Sequence, residues 1–157
     1  MKFAIGCTKA GLTLKKAVME YLESQGHELD DLGMKEDGEF VPYYDSAAAV
    51  AKALSEGKYE KAIIICGTGA GSVIIANKFK NVFAVHASSE FEASRATIIN
   101  QANCLCLGEW MTPPQHGIEM VKAWLNAKPG EGFEPQWQEF LNNGVEKVRE
   151  IDRENLK

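Results

Sequence analysis

The sequence predicts an α/β fold: a three-layer αβα sandwich around a five-stranded, parallel, Rossmann-like sheet, with a further helix at the C-terminus. Three observations predict it. Short apolar runs alternate with segments of helical period along most of the chain, the order expected of a parallel sheet with helices on both faces. One run, KAIIIC at 61–66, is apolar almost throughout, as strands covered on both faces are. Glycines or helix-capping residues stand where runs end or begin.

Taken in order, KFAIGC (2–7) reads as the first strand. LTLKKAVMEYLESQG (12–26) places Leu14, Ala17, Val18, Tyr21 and Leu22 on one helical face, with Gly26 as its stop. HELDDLG (27–33) fits a short strand, and MKEDGEFVPYYD (34–45) is a loop by its Gly, Pro and acids. SAAAVAKALSEGK (46–58) is a helix with Asp45 or Ser46 as its cap and Gly57 near its end. After KAIIIC a helix begins at about Gly71. VFAVHA (82–87) is a strand, and SEFEASRATIIN (89–100) is a helix with Ser89 and Glu92 at capping-box spacing. NCLCLG (103–108) is the fifth strand. TPPQHGIEMVKAWLNAKPG (112–130) is a helix with prolines in its first turn. From Pro135 a polar amphipathic helix carries Trp137, Phe140, Leu141, Val145, Val148 and Ile151 on one side. Residues 1–130 are expected to form one αβα domain and 131–157 a helical extension. Its apolar side is expected at an interface between copies, in a homodimer or a dimer of dimers.

Composition narrows the function. The 157 residues, 45% hydrophobic and 25% charged, suffice for one domain with a core. A net charge of −5 without a cationic cluster argues against nucleic acid as a partner. No apolar run is long enough to span a bilayer, and MKFAIGC lacks the features of a signal peptide, so no membrane partner and a cytoplasmic location are expected. The four cysteines, Cys7, Cys66, Cys104 and Cys106, show neither a disulfide framework nor zinc spacing, so reduced thiols and no metal are expected.

Ligands of open parallel sheets bind at the carboxyl ends of the strands. Three segments fall there: GCTKAG after the first strand, CGTGAGS after the third and HASS after the fourth. In CGTGAGSVIIANK (66–78) the glycines permit a tight turn, and the following helix start supplies unpaired N–H donors. The segment lacks the Gly-Lys-Ser/Thr ending of a phosphate-binding P-loop and the GxGxxG spacing of dinucleotide sites. Cys66 stands where strand meets turn. A helix N-terminus favours a thiolate, which would serve as nucleophile or base; the other reading is a small buried residue beside a turn. Cys104 and Cys106 share one face of a strand and read as core, while Cys7 could be core or line the site.

GC-x-x-AG near the N-terminus, ICGTGAGSVIIANKFKNVFAV in the middle and NQANCLCLG later resemble the ribose-5-phosphate isomerase B and galactose-6-phosphate isomerase family, over residues 2 to about 126. The resemblance implies aldose–ketose isomerisation of a sugar phosphate through a cis-enediolate, with no metal or organic cofactor. It implies Cys66 as the base moving a proton between C1 and C2, with the Thr68 hydroxyl beside it. The N–H groups of Gly67, Gly69, Gly71 and Ser72 would form an anion hole, and fixed donors aimed at developing charge are a large catalytic factor. Asn100 falls on the Asn of the family's His-Asn segment, and Tyr44 on an aromatic lining the sugar pocket.

The departures from the family are specific. Its usual GCDHAG reads GCTKAG, so Thr8 stands for an Asp that contacts sugar hydroxyls and Lys9 for a His. The ring-opening His falls on Ile99, and the Arg after the fifth strand on Trp110. The paired phosphate-clamping Args have no match in EGFEPQWQEFLNNG. Three accounts follow: a tetrose or tetrulose phosphate too short to need ring opening, one subunit of a heteromeric isomerase or another non-pentose substrate, or a non-catalytic sugar- or phosphate-binding protein. Lys9 is a candidate anion ligand or a surface lysine. His86 is a candidate proton donor or a core histidine bonded to a carbonyl.

Overall fold

The computed structural model describes residues 1–156. Five strands, β1 (Lys2–Cys7), β2 (Glu28–Asp31), β3 (Lys61–Cys66), β4 (Ala84–His86) and β5 (Cys104–Gly108), form one all-parallel sheet in the order β2-β1-β3-β5-β4. Six helices complete the chain: α1 (Leu12–Ser24), α2 (Tyr43–Ser55), α3 (Ala70–Ala76), α4 (Glu90–Ile98), α5 (Pro114–Asn126) and α6 (Pro135–Asn155).

Alternation along the strands builds two cores. Phe3, Ile5, Ile63, Ile65, Leu105 and Leu107 face α1, α4 and α5 and meet Leu14, Val18, Ala93, Met120 and Trp124. Ala4, Ala62, Ile64, Cys104 and Cys106 face the other way, against Val50, Ala51 and Leu54 of α2 and Ala76 of α3. The predicted three layers are therefore present. Small residues dominate the second face, which lets α2 and α3 lie close to the sheet. Cys7, Cys104 and Cys106 are all fully buried.

Two local features differ from expectation. α2 starts at Tyr43, not Ser46, with Pro42 as its cap residue, so Asp45 and Ser46 lie inside its first turn. Pro42 carries the extended backbone that leads into a helix, and it draws the two tyrosines onto the helix. α1 buries a charged residue, Lys15, whose Nζ lies 2.6 Å from Asp31 Oδ2 and donates to the Met34 carbonyl. At Ser89 half of the predicted capping box forms: its hydroxyl accepts from Glu92 N–H at 3.2 Å, while the Glu92 carboxylate accepts from Ser88 N–H and hydroxyl rather than from Ser89 N–H. α6 buries only Val145 and Asp152 among its side chains, with Asn81 N–H donating to Asp152 Oδ2 at 3.0 Å. Trp137, Phe140, Val148 and Ile151 remain exposed.

The Lys15–Asp31 pair joins α1 to the end of β2. Burial alone would raise the Asp31 pKa, but hydrogen bonds from Lys15, Lys35 and the Gly33 N–H outweigh it and hold the carboxyl below its ordinary value. Asp31→Asn leaves a buried ammonium without its counter-charge, a loss of about 3 kcal/mol by denaturant titration. A depressed carboxyl stabilises fully above the ordinary Asp pKa, and that stability is lost as pH falls through the lower folded value. Wild-type stability is therefore expected to decline on the acid side more steeply than that of Asp31→Asn. Parallel acid-side curves for the two proteins would contradict this.

Candidate active site

β1 has β2 on one side and β3 on the other, so the chain reverses its direction of travel across the sheet between β1 and β3. The loops above that switch point diverge and leave a crevice. A cleft of about 520 Å³ lies there, lined by Thr8 and Ala10 after β1, Phe40, Pro42, Tyr43 and Tyr44 before and within α2, Cys66, Gly67, Thr68 and Gly71 after β3, and Trp110 after β5. A larger groove of about 730 Å³ beside α4 and α5 shares none of these residues.

Of the three segments marked from sequence, GCTKAG and CGTGAGS meet in the cleft, and HASS contributes none of its lining. The strand order explains this. β5 inserts between β3 and β4, so β4 is an edge strand and the segment after β5 borders the cleft instead. Strand order is a long-range property that alternation along the chain does not encode.

Cys66 ends β3 on the face covered by α2 and α3 and is 5% exposed. Its Sγ accepts a hydrogen bond from the Gly69 N–H at 3.1 Å. Gly69 caps α3 with φ +81°, a left-handed conformation that glycine adopts without steric cost. That turn folds the loop back over the sulfur. The Ala70 N–H donates to Thr68 Oγ1 at 3.3 Å and the Val73 N–H to the Gly69 carbonyl at 3.2 Å. The Gly71 and Ser72 N–H groups have no partner among the described residues. Ser72 is fully buried and its hydroxyl also lacks a partner. The loop thus combines a thiol with fixed donors suited to negative charge.

Two of the other thiols are held in their neutral form. Burial pushes the Cys7 thiol up to about 11, despite Lys15 nearby. A hydrogen bond with Cys104, together with burial, raises Cys106 well above its ordinary value. Cys7 faces the core and does not line the cleft.

The remaining candidates divide. Tyr44 and Thr8 line the cleft, but the Thr8 hydroxyl donates to the Val41 carbonyl at 2.7 Å. Lys9 is exposed and outside the lining. His86 meets the glycine loop at Gly69, where a Cβ would lie 2.5 Å from its Cδ2, and does not line the cleft. Asn100 lines a different groove, beneath α6, together with Ile99, Phe140 and Val145.

Three aromatics were not assigned to the site from sequence. Trp110 is 74% exposed, donates its backbone N–H to the Gly67 carbonyl at 3.0 Å, and packs its indole so that a Gly67 Cβ would lie 2.8 Å from it. Tyr43 packs against Gly71 in the same way and meets Tyr44 edge-on, ring centroids 5.4 Å apart. Phe40 projects from the loop before α2. For Phe40 and Tyr43 the signal was their clustering with Tyr44 within five residues at a Gly- and Pro-containing loop, since apolar rings on a surface loop need a reason. No charged side chain is among the residues lining the cleft.

An open parallel sheet with a small, thiol-bearing cleft at its switch point defines an α/β protein built to act on a small molecule. A family model described as Ribose/Galactose Isomerase matches residues 3–140. The chain belongs to that family of aldose–ketose isomerases. It is 38% identical over 152 residues to a 4-deoxy-4-sulfo-D-erythrose isomerase of a Clostridium species, covering 97% of this chain and 96% of that one. It is 34% identical to a D-erythrulose-4-phosphate isomerase of Pectobacterium atrosepticum, covering 87% and 90%. Among solved structures, ribose-5-phosphate isomerase B of Mycoplasma genitalium with bound ribulose-5-phosphate superposes with a TM-score of 0.87 at 30% identity, covering 98% and 97%. No helix among the described residues is long and apolar enough to cross a membrane.

Proposed function

We propose that the protein interconverts a four-carbon aldose and ketose bearing a terminal phosphate or sulfonate, with Cys66 as the proton-transferring base. The observation that carries the reading is the thiol of Cys66 sharing the cleft wall with Gly71, whose N–H is unpaired among the described residues, with Ser72 buried behind it. Cys66 removes the proton on C2 of the aldose and returns it to C1, giving the ketose. The intervening cis-enediolate places negative charge on oxygen, where fixed N–H donors stabilise it more than they stabilise the ground state. Thr68 Oγ1 accepts from Ala70, which leaves its own proton free to reach a substrate oxygen as the second proton moves from O2 to O1.

Ile99, at the position where the family resemblance implies a ring-opening His, supports the short chain length. A hydrocarbon side chain moves no proton, and a tetrose whose C4 carries phosphate or sulfonate has no free hydroxyl there to close a furanose ring. Such a substrate arrives open, so no ring-opening acid is required. The four-carbon isomerases among the relatives agree with this. The uncharged cleft wall supports a site completed from outside this chain. The exposed Trp137, Phe140, Val148 and Ile151 of α6 form an apolar side suited to a second copy. Lys9, exposed and next in sequence to Thr8 but outside the cleft lining, is this chain's candidate for attracting the terminal anion.

A panel of tetrose 4-phosphates, 4-deoxy-4-sulfotetroses, pentose 5-phosphates and hexose 6-phosphates, assayed in deuterium oxide, tests the reading. Four-carbon aldoses are expected to turn over with deuterium gained at C1 of the ketose and, on reversal, at C2 of the aldose, and pentose phosphates to be poorer by about tenfold or more in kcat/KM, as for one unaccommodated carbon. Faster turnover of a pentose or hexose phosphate overturns the chain-length assignment. Ligand-induced thermal stabilisation without exchange on any member overturns catalysis.

A further inference from the structure

We propose that Thr8 is a positioning residue: through its hydrogen bond to the Val41 carbonyl it holds the loop 35–42 as one wall of the cleft and so sets the cleft's width for a short substrate. The inference rests on the four-carbon isomerase reading above.

Thr8 is a fixed post. It follows β1 directly, is 8% exposed, and its N–H donates to the Ile65 carbonyl of β3 at 3.3 Å. The loop it holds has little else to hold it. Pairing with β1 ends where the Met34 N–H donates to the Cys7 carbonyl at 2.9 Å. Residues 35–40 are all exposed. The Lys35 ammonium returns to Asp31, and the Gly38 N–H donates to the Lys35 carbonyl within the loop itself. Beyond that point the bond from Thr8 Oγ1 to the Val41 carbonyl, 2.7 Å long, is the loop's hydrogen bond to the sheet among the described residues.

What the loop carries makes that bond matter. Phe40 and Pro42 line the cleft from this loop, and Tyr43 and Tyr44 follow at once on α2, whose first turn begins at Pro42. Trp110 closes the cleft after β5. Releasing Val41 would therefore let one aromatic wall move relative to the glycine loop that carries Cys66. Holding a loop already in its bound position lowers the ordering cost of binding.

The residue type is specific to this task. A threonine hydroxyl donates to a carbonyl oxygen; an ionised Asp only accepts, and a Val does neither. An Asp at this position would set a negative oxygen against the Val41 carbonyl, so the carboxylate or the loop must turn away.

The test compares Thr8→Ser, Thr8→Val and Thr8→Asp. kcat and KM are measured on a tetrose 4-phosphate and a pentose 5-phosphate, and amide hydrogen exchange of segment 35–42 is measured on each free protein. Thr8→Ser keeps the donor and is expected within about threefold of wild-type KM. Thr8→Val is expected to raise KM on the tetrose about five- to tenfold, the size of one neutral hydrogen bond, with kcat changed less. Exchange in 35–42 rises in Thr8→Val and Thr8→Asp, while exchange across the β3 and β5 strands stays as in wild type. Wild-type KM and wild-type loop exchange in Thr8→Val overturn the proposal. So does a fall in kcat at unchanged KM, which would place Thr8 against the reacting atoms. Should wild type turn over no tetrose phosphate, the substrate reading fails, and the loop-exchange comparison still decides whether Thr8 anchors the wall.

Discussion

Cys66→Ala is expected to lower kcat by about 10³-fold, within the range a positioned acid–base group supplies, while the protein still folds. The thiol is small, so its removal from a site that is already lined by the cleft leaves the core unchanged. The two cores are built from other side chains: Cys66 belongs to neither, although Ile64 and Ile65 just before it do. Cys66→Ser keeps the shape but offers a hydroxyl, a far weaker acid than a thiol, and is expected to lose activity to a similar extent. Deuterium gain at C1 of the ketose or C2 of the aldose reports the base directly, and substrate-induced thermal stabilisation reports whether the cleft still binds. The assignment predicts binding without exchange in both variants. A kcat within tenfold of wild type in both would remove Cys66 as the base.

Gly108→Ala is expected to damage the site from beneath. Gly108 ends β5 opposite Cys66. A Cβ there would lie 2.5 Å from the Thr68 carbonyl carbon, 2.6 Å from its oxygen and 2.9 Å from the Gly67 oxygen. Every one of these atoms is backbone, so no rotamer change relieves the contact. The loop must lift or β5 must retreat. Overpacking of this kind costs about 1–3 kcal/mol, and displacing catalytic groups by about an ångström costs about 10² in rate. The expected result is a kcat/KM lower by about 10²-fold with a modest loss of stability in denaturant. Unchanged kinetics would show that the loop's position above β5 is not what aligns the thiol with its donors.

Most of the element order was legible from local signals. KAIIIC is a buried parallel strand because its hydrophobicity has no gap, and Ser89 caps α4 because its hydroxyl meets the otherwise unpaired Glu92 N–H. Gly26 and Gly57 end α1 and α2 in left-handed backbone, as their positions suggested. The start of α2 was misread, because Asp45 and Ser46 are good caps by type, whereas Pro42 precedes them and sets the turn. Lys15 was invisible as a buried residue, since its burial depends on Asp31 and Met34 arriving from β2 and the loop beyond.

The site was half legible for the same reason. Cys66, Thr68 and the glycines are adjacent in the chain, so their shared turn is a local fact, and Ile99 and Thr8, where the family resemblance implies His and Asp, could be read one residue at a time. The sequence by itself thus determined the alternation of strands and helices, the family, and a thiol at a glycine turn. Only the tertiary structure decided that β5 lies between β3 and β4, that Trp110 therefore borders the cleft where HASS does not, and that the Thr8 hydroxyl goes to Val41. Those facts join residues far apart in the chain, and such contacts follow from packing the whole sheet rather than from any segment's own propensity.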